Sequence, residues 1–331
     1  MRKKITAPVL FMVFAVNAHG LDNLHFSILG NEYAPGITAY FDLSYLNMQE
    51  IVYKDSSSGD VMSKIDWDIR FHAAAGTGFL LEPVNPFRKI SLSLGGIIMW
   101  NLPVNNRTIT DTDWEEDGSK FSYGETVAST ISGTEAEGRI ALVFPVRGKF
   151  IIEPAAELWY GRHAVLAHDG WTKQVPPGEP WNDDAEIFPL YGVSMEYIQE
   201  WIAFAPGLGF RMKIANSTLS VKIAVSPFIW GNHIDNHYFR KLDNDDPDQR
   251  YINYHDKTKG GMYYKVQGGW FWDITRRVQT GLSFSCRAIG KSRGDTAVST
   301  TGLAGYSFLE KGIAGAAISN FGFGLSVRTT L

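Results

Sequence analysis

Connections of two sizes alternate along this chain, and no other feature of the sequence constrains the fold as tightly. Ten apolar and aromatic stretches are separated by punctuation that is short, then long, then short again. The short connections are Asn85-Pro86-Phe87-Arg88, Val146-Arg147-Gly148, Ala205-Pro206 and Thr275-Arg276-Arg277. The long, polar ones span 104–128, 168–187, 231–256 and 291–311. Tight turns at one end, large loops at the other and an even number of antiparallel strands describe an outer-membrane β-barrel. The stretches at 36–53, 61–76, 89–103, 129–145, 149–167, 188–204, 207–228, 257–274, 278–290 and 313–329 predict its ten strands. In Leu219-Ser220-Val221-Lys222-Ile223-Ala224-Val225-Ser226 the large apolar side chains share one face, and the serines and the lysine take the other. A soluble β-sandwich with one wet face alternates in the same way, so the connections, not the alternation, favour the barrel.

Composition agrees with export to a membrane. Aromatic residues make up 13% of the chain, with 10 Trp, 14 Tyr and 20 Phe, enough for girdles at two membrane interfaces. Arg2, Lys3 and Lys4, the apolar run 5–16 and the small residues of Val16-Asn17-Ala18 read as a secretory signal. The expectation is a cleaved segment 1–18 and a single barrel domain over 19–331. The apolar run is too short to cross a bilayer as a helix. Cys286 is the only cysteine, so no internal disulfide can form. A net charge of −4 argues against a nucleic-acid partner. The eight histidines show no zinc-protease spacing, so neither a metal nor another cofactor is expected.

Two short clusters carry the chemistry: Asp111-Thr112-Asp113-Trp114 and Asp235-Asn236-His237-Tyr238. Each puts two ionisable side chains at i and i+2, which face the same way on an extended strand. Brought together, these four groups could hold and deprotonate one water molecule. Alone, each pair is equally consistent with a solvated loop. The second lies near Asp243, Asn244, Asp245 and Asp246 and could also hold calcium loosely. The run 111–118 does not fit an EF-hand loop, which needs glycine sixth and glutamate twelfth.

In this order, the two motifs resemble those of the omptin family, the outer-membrane aspartate–histidine endopeptidases. Tyr254, Lys257, Lys259 and Tyr263-Tyr264 are similar to the family as well. So is Glu50-Ile51-Val52-Tyr53 followed by Lys64-Ile65-Asp66-Trp67. The resemblance implies an all-β, ten-stranded barrel in the bacterial outer membrane, with its peptidase site facing outward. It implies that Asp235 orients His237 as general base, while Asp111 and Asp113 hold the attacking water from across the groove. An imidazole with a pKa near ~6.5 suits that role. Glu50 would line the pocket for a basic substrate side chain, with Glu125 a further acid of the groove. His233 replaces the second acid of that pocket. The expectation is therefore a relaxed preference for Arg or Lys, relaxed further as His233 protonates below about pH 6.5. Outward-facing Arg162, Arg211 and Lys259 would grip the phosphates of lipopolysaccharide or another anionic lipid needed for activity, although Leu158 and Tyr160 depart from the family there. The implied partners are peptide or protein substrates and outer-membrane lipid. The alternative is a non-enzymatic adhesin or structural barrel on the same scaffold.

Overall fold

The computed structural model describes residues 26–28, 31–87, 89–146, 148–176, 178–238, 251–299, 306–308 and 311–331. The expected signal segment 1–18 and the acidic run 243–246 lie outside them. Ten antiparallel strands form the barrel. They are β1 (Asn31–Tyr53), β2 (Val61–Pro83), β3 (Ser91–Leu102, then Val104–Trp114), β4 (Lys120–Val146) and β5 (Phe150–Gln174). The chain continues with β6 (Ile187–Ile214), β7 (Ser217–Ser226, then Ile229–His237), β8 (Ile252–Lys259, then Tyr263–Asp273), β9 (Val278–Ser299) and β10 (Ala314–Thr330). Each pairs with its sequence neighbours, and β10 pairs with β1 from Ala314↔Val52 to Thr330↔Gly36, which closes the ring. A closed ring leaves no unpaired strand edge within its band.

The period-2 pattern sorts the wall into two faces. Phe41, Leu43 and Tyr45 on β1, Leu219, Val221, Ile223 and Val225 on β7, and Phe321, Phe323 and Leu325 on β10 are exposed, forming part of an apolar outer band. Inside that band charged side chains bridge the lumen. Arg328 and Arg211 both bind Glu82, at 3.1 and 2.7 Å, and Arg211 also binds Glu153 at 2.5 Å. Arg139 joins Glu153 to Glu157, Lys265 joins Glu157 to Glu137, and Arg287 joins Glu137 to Glu135. Five carboxylates and five cations thus form one continuous lattice. Each buried charge has an opposite partner, which its removal from water requires.

Two expectations are corrected. The stretches read as long loops are largely strand: β3 runs to Trp114, β5 to Gln174 and β9 to Ser299, while β7 reaches His237. Beyond the apolar band both faces of a strand can be polar, so composition there imitates a loop. The expected turn at Ala205-Pro206 also lies within a strand. β6 continues to Ile214, and the turn falls at Ala215, whose φ is 51°. The ladder between β6 and β7 is instead interrupted around Pro206 and Pro227, where the Ser226 hydroxyl donates to Phe204 O and accepts from Phe228 N. Proline removes a ladder donor, and a local break accommodates it. A second break divides β8 at Gly260 and Gly261, both with φ near +80°. A Cβ on Gly261 would lie 2.8 Å from Gly290 O.

Candidate active site

Both motifs lie on strand extensions beyond the apolar band, at the end opposite the Arg211–Glu82 contact. On one wall, Glu50 of β1 is opposite Ile65 of β2, and Ile65 is opposite Asp111 of β3. These three residues therefore form one row across neighbouring strands. Asp113, buried, is the next residue of that face, opposite Ser63 and Ser122. On the facing wall Asp235 is opposite Tyr197 of β6 and Tyr254 of β8, and His237 is opposite Met195 and Ile252. The i, i+2 spacing has the expected effect: both members of each pair share a face.

The barrel is flattened here, so its walls touch. Trp67 of β2 stacks on Tyr197 of β6 with ring centroids 5.5 Å apart. The Gln199 carboxamide donates to the carbonyls of Gln49 and Ala317, each at 3.2 Å. Leu46, Met48, Ile69, Ile109 and Trp201 complete a buried floor. Above that floor the Asp235 carboxylate contacts His237 Nε2, and both residues are buried. The His237 ring lies edge-on to Tyr254, with centroids 5.5 Å apart. Glu50, 6% exposed, completes a group in which one donor atom each from Glu50, Asp235 and His237 lies within 4.8 Å of the others. Among the described residues this is the one group of three acidic or histidine side chains close enough to share a cation. Within this set Asp235 and His237 are in contact with each other.

Electrostatics separate the acids. Burial, then the charges of Asp235 and Asp256, a hydrogen bond with Asp235 and the charge of Asp111, raise the Glu50 carboxyl well above the usual range. Asp256 of β8, also buried, is pushed up to about 7 by burial; Asp235 adds to this, against a hydrogen bond from Thr296. Sequence reasoning missed Asp256 and Tyr197, and named Trp67 only as part of a family-like hairpin, without a place at the site. Parity would have found the first, because residues 254, 256 and 258 share a strand face.

The remaining site expectations divide. His233 lies one inward position below Asp235, 1% exposed, with its ring 4.6 Å from that of Trp201 and its Nε2 3.0 Å from the Thr258 hydroxyl. Burial, reinforced by His255, lowers it to about 3, so it is neutral above mild acid and does not titrate near pH 6.5 as expected. Glu125 does not belong to the groove. Asp111 is opposite Gly124, so the adjacent residue 125 points to the other face, where it accepts a hydrogen bond from Tyr123 at 2.7 Å. Arg211 does not face lipid, because it belongs to the lumen lattice. Arg162 does lie on the outer face, but Glu200 holds its Nε at 3.1 Å, and Asn232 donates to the same carboxylate at 3.0 Å. Lys259 is exposed on that face, opposite Trp230 and Arg293.

A family model described as the Omptin family matches residues 37–328. Among solved structures, the outer-membrane protease OmpT from Escherichia coli superposes with a TM-score of 0.77. The match spans 90% of this chain and 97% of that one at 18% identity, a likeness of fold. The outer-membrane protein OprG from Pseudomonas aeruginosa overlaps 88% of this chain and 96% of its own at 7% identity, but its TM-score of 0.31 is too low to support an argument. No curated protein matches the chain.

Proposed function

Because the chain belongs to the omptin family, we propose that it is an outer-membrane endopeptidase in which His237, oriented by Asp235, activates water against a peptide bond. The observation that carries this reading is the buried contact between the Asp235 carboxylate and His237 Nε2, at the barrel end where Asp111 and Asp113 share a face. The Asp235 charge fixes the ring and stabilises the imidazolium that forms when His237 takes a proton from water. The hydroxide then adds to the peptide carbonyl, the C–N bond breaks, and His237 returns its proton to the departing amine. Asp111 and Asp113 hold the water and the developing oxyanion's neighbourhood from the other wall. No covalent intermediate is needed. The site faces outward, and surface-accessible peptides and proteins are its substrates, with a relaxed preference for basic residues.

Lipopolysaccharide or another anionic lipid assists activity through the outer face of the barrel. Lys259 is an exposed cation of that face, and Arg162 contributes only where phosphate competes with Glu200. The test is to incubate the refolded protein with a mixed peptide library, with and without lipopolysaccharide. Cleavage by the wild type and none by His237→Ala is expected. An inactive wild type with lipid present would favour the adhesin or structural alternative.

A further inference from the structure

Glu50 and Asp235 meet as two buried carboxylates, although they are far apart in sequence. Glu50 Oε2 and Asp235 Oδ1 are buried with no hydrogen-bond donor when both groups are taken as ionised acceptors. Buried polar atoms are almost always paired, and two ionised carboxylates in contact repel. One proton shared between them satisfies these atoms and removes the repulsion. Asp235 is held by the imidazole of His237, while burial and the neighbouring Asp235 and Asp256 disfavour a charge on Glu50, so the proton resides on Glu50.

We propose that Glu50 is a positioning residue of the catalytic dyad: its protonated carboxyl donates a hydrogen bond to Asp235, fixing the carboxylate that orients His237. This rests on the peptidase reading and changes the role of Glu50 from an open acid that grips substrate to a neutral donor behind the dyad. The proton stays on Glu50 through turnover, since His237 alone takes and returns the water's proton. The groups packed around Glu50 support this. Asp111 on β3, Asp235 and His237 on β7, and Asp256 on β8 include three carboxylates, all of which disfavour a further negative charge. Tyr197 on β6 adds a phenol that burial keeps un-ionised.

The experiment compares wild type, Glu50→Gln and Glu50→Ala on two peptides, one with Arg and one with Leu before the scissile bond, across pH. A glutamine keeps a neutral donor, so its kcat should stay within about threefold of wild type, with the Arg-to-Leu preference unchanged. The alanine variant should lose about 10–100-fold in kcat with little change in KM, and the acid limb of its pH profile should move. Heat-modifiable migration on gels checks that each barrel is folded, and the glutamine result decides the matter if the alanine variant fails to fold. Loss of the Arg preference in Glu50→Gln, with KM raised for the Arg peptide alone, would overturn the proposal. Difference infrared spectroscopy provides a readout independent of activity: a protonated-carboxyl band at pH 7 should disappear in Glu50→Gln. A wild type with that band but no cleavage would sink the peptidase reading and leave the shared proton standing. Absence of the band would overturn the shared proton itself.

Discussion

Two groups of buried charge lie in one barrel and are built on opposite rules. In the lower lumen Glu82, Glu135, Glu137, Glu153 and Glu157 alternate with Arg139, Arg211, Lys265, Arg287 and Arg328 until every carboxylate has a cation. At the other end Glu50, Asp235 and Asp256 crowd together around one imidazole. In the balanced lattice each charge is held by neighbours of opposite sign. In the unbalanced cluster burial and neighbouring carboxylates raise the proton affinity of Glu50 and Asp256. That contrast marks which buried charges hold the barrel together and which are poised for chemistry.

The sharpest way to break the comparison is to remove one group from each end. His237→Ala should lower turnover by about 10²–10⁴-fold with the barrel's unfolding midpoint unchanged, as measured by peptide hydrolysis and urea titration. Asp235→Asn and Asp111→Asn should each cost activity, and their combination with His237→Ala should cost far less than the product of the single effects. Retained hydrolysis in His237→Ala would remove the chemical half of the contrast. At the other end, Lys265→Met strips a shared cation from Glu137 and Glu157. It should cost about 3 kcal/mol of stability while leaving kcat/KM near wild type. A large loss of activity in a folded Lys265→Met barrel would mean the two ends are coupled.

A smaller effect tests the stored proton affinity. Asp256 binds its proton up to about pH 7 when folded but only to about 3.8 otherwise, so between those values the folded state holds more protons. Stability conferred by that group is complete below about 3.8 and is lost as pH rises toward 7. Asp256→Asn should therefore gain on wild type by on the order of 4 kcal/mol between pH 4 and pH 8, read from urea midpoints at each pH. A constant difference across that range would show that Asp256 does not titrate abnormally. The smallest effect concerns His233. Buried and lowered to about 3, it remains neutral from pH 6 to pH 8. Wild-type discrimination between Arg and Leu peptides should shift by less than about threefold across that interval. His233→Asp should sharpen the preference for Arg, and a wild type whose preference collapses below pH 6.5 would restore the titrating histidine.

Much of this was fixed along the chain itself. Alternating connections announced ten strands and a barrel, because hydrophobic periodicity and turn residues are local properties. The i, i+2 spacing put Asp111 with Asp113, and Asp235 with His237, on common faces for the same reason. Strand ends were not local: β3 and β9 extend through polar sequence because their neighbours offer a ladder, which composition does not record. Facing was not local either. A shift of one residue in register moves a side chain to the other side of the wall, which is why Glu125 points away from the groove and Arg211 into the lumen. The meeting of Glu50 with Asp235 is the furthest from the sequence. It requires ring closure, and then a flattening that brings β1 against β7, held by the Trp67–Tyr197 stack and the reach of Gln199. Periodicity sets which face a residue takes on its own strand, but only the closed and flattened wall decides which residue it confronts across the lumen.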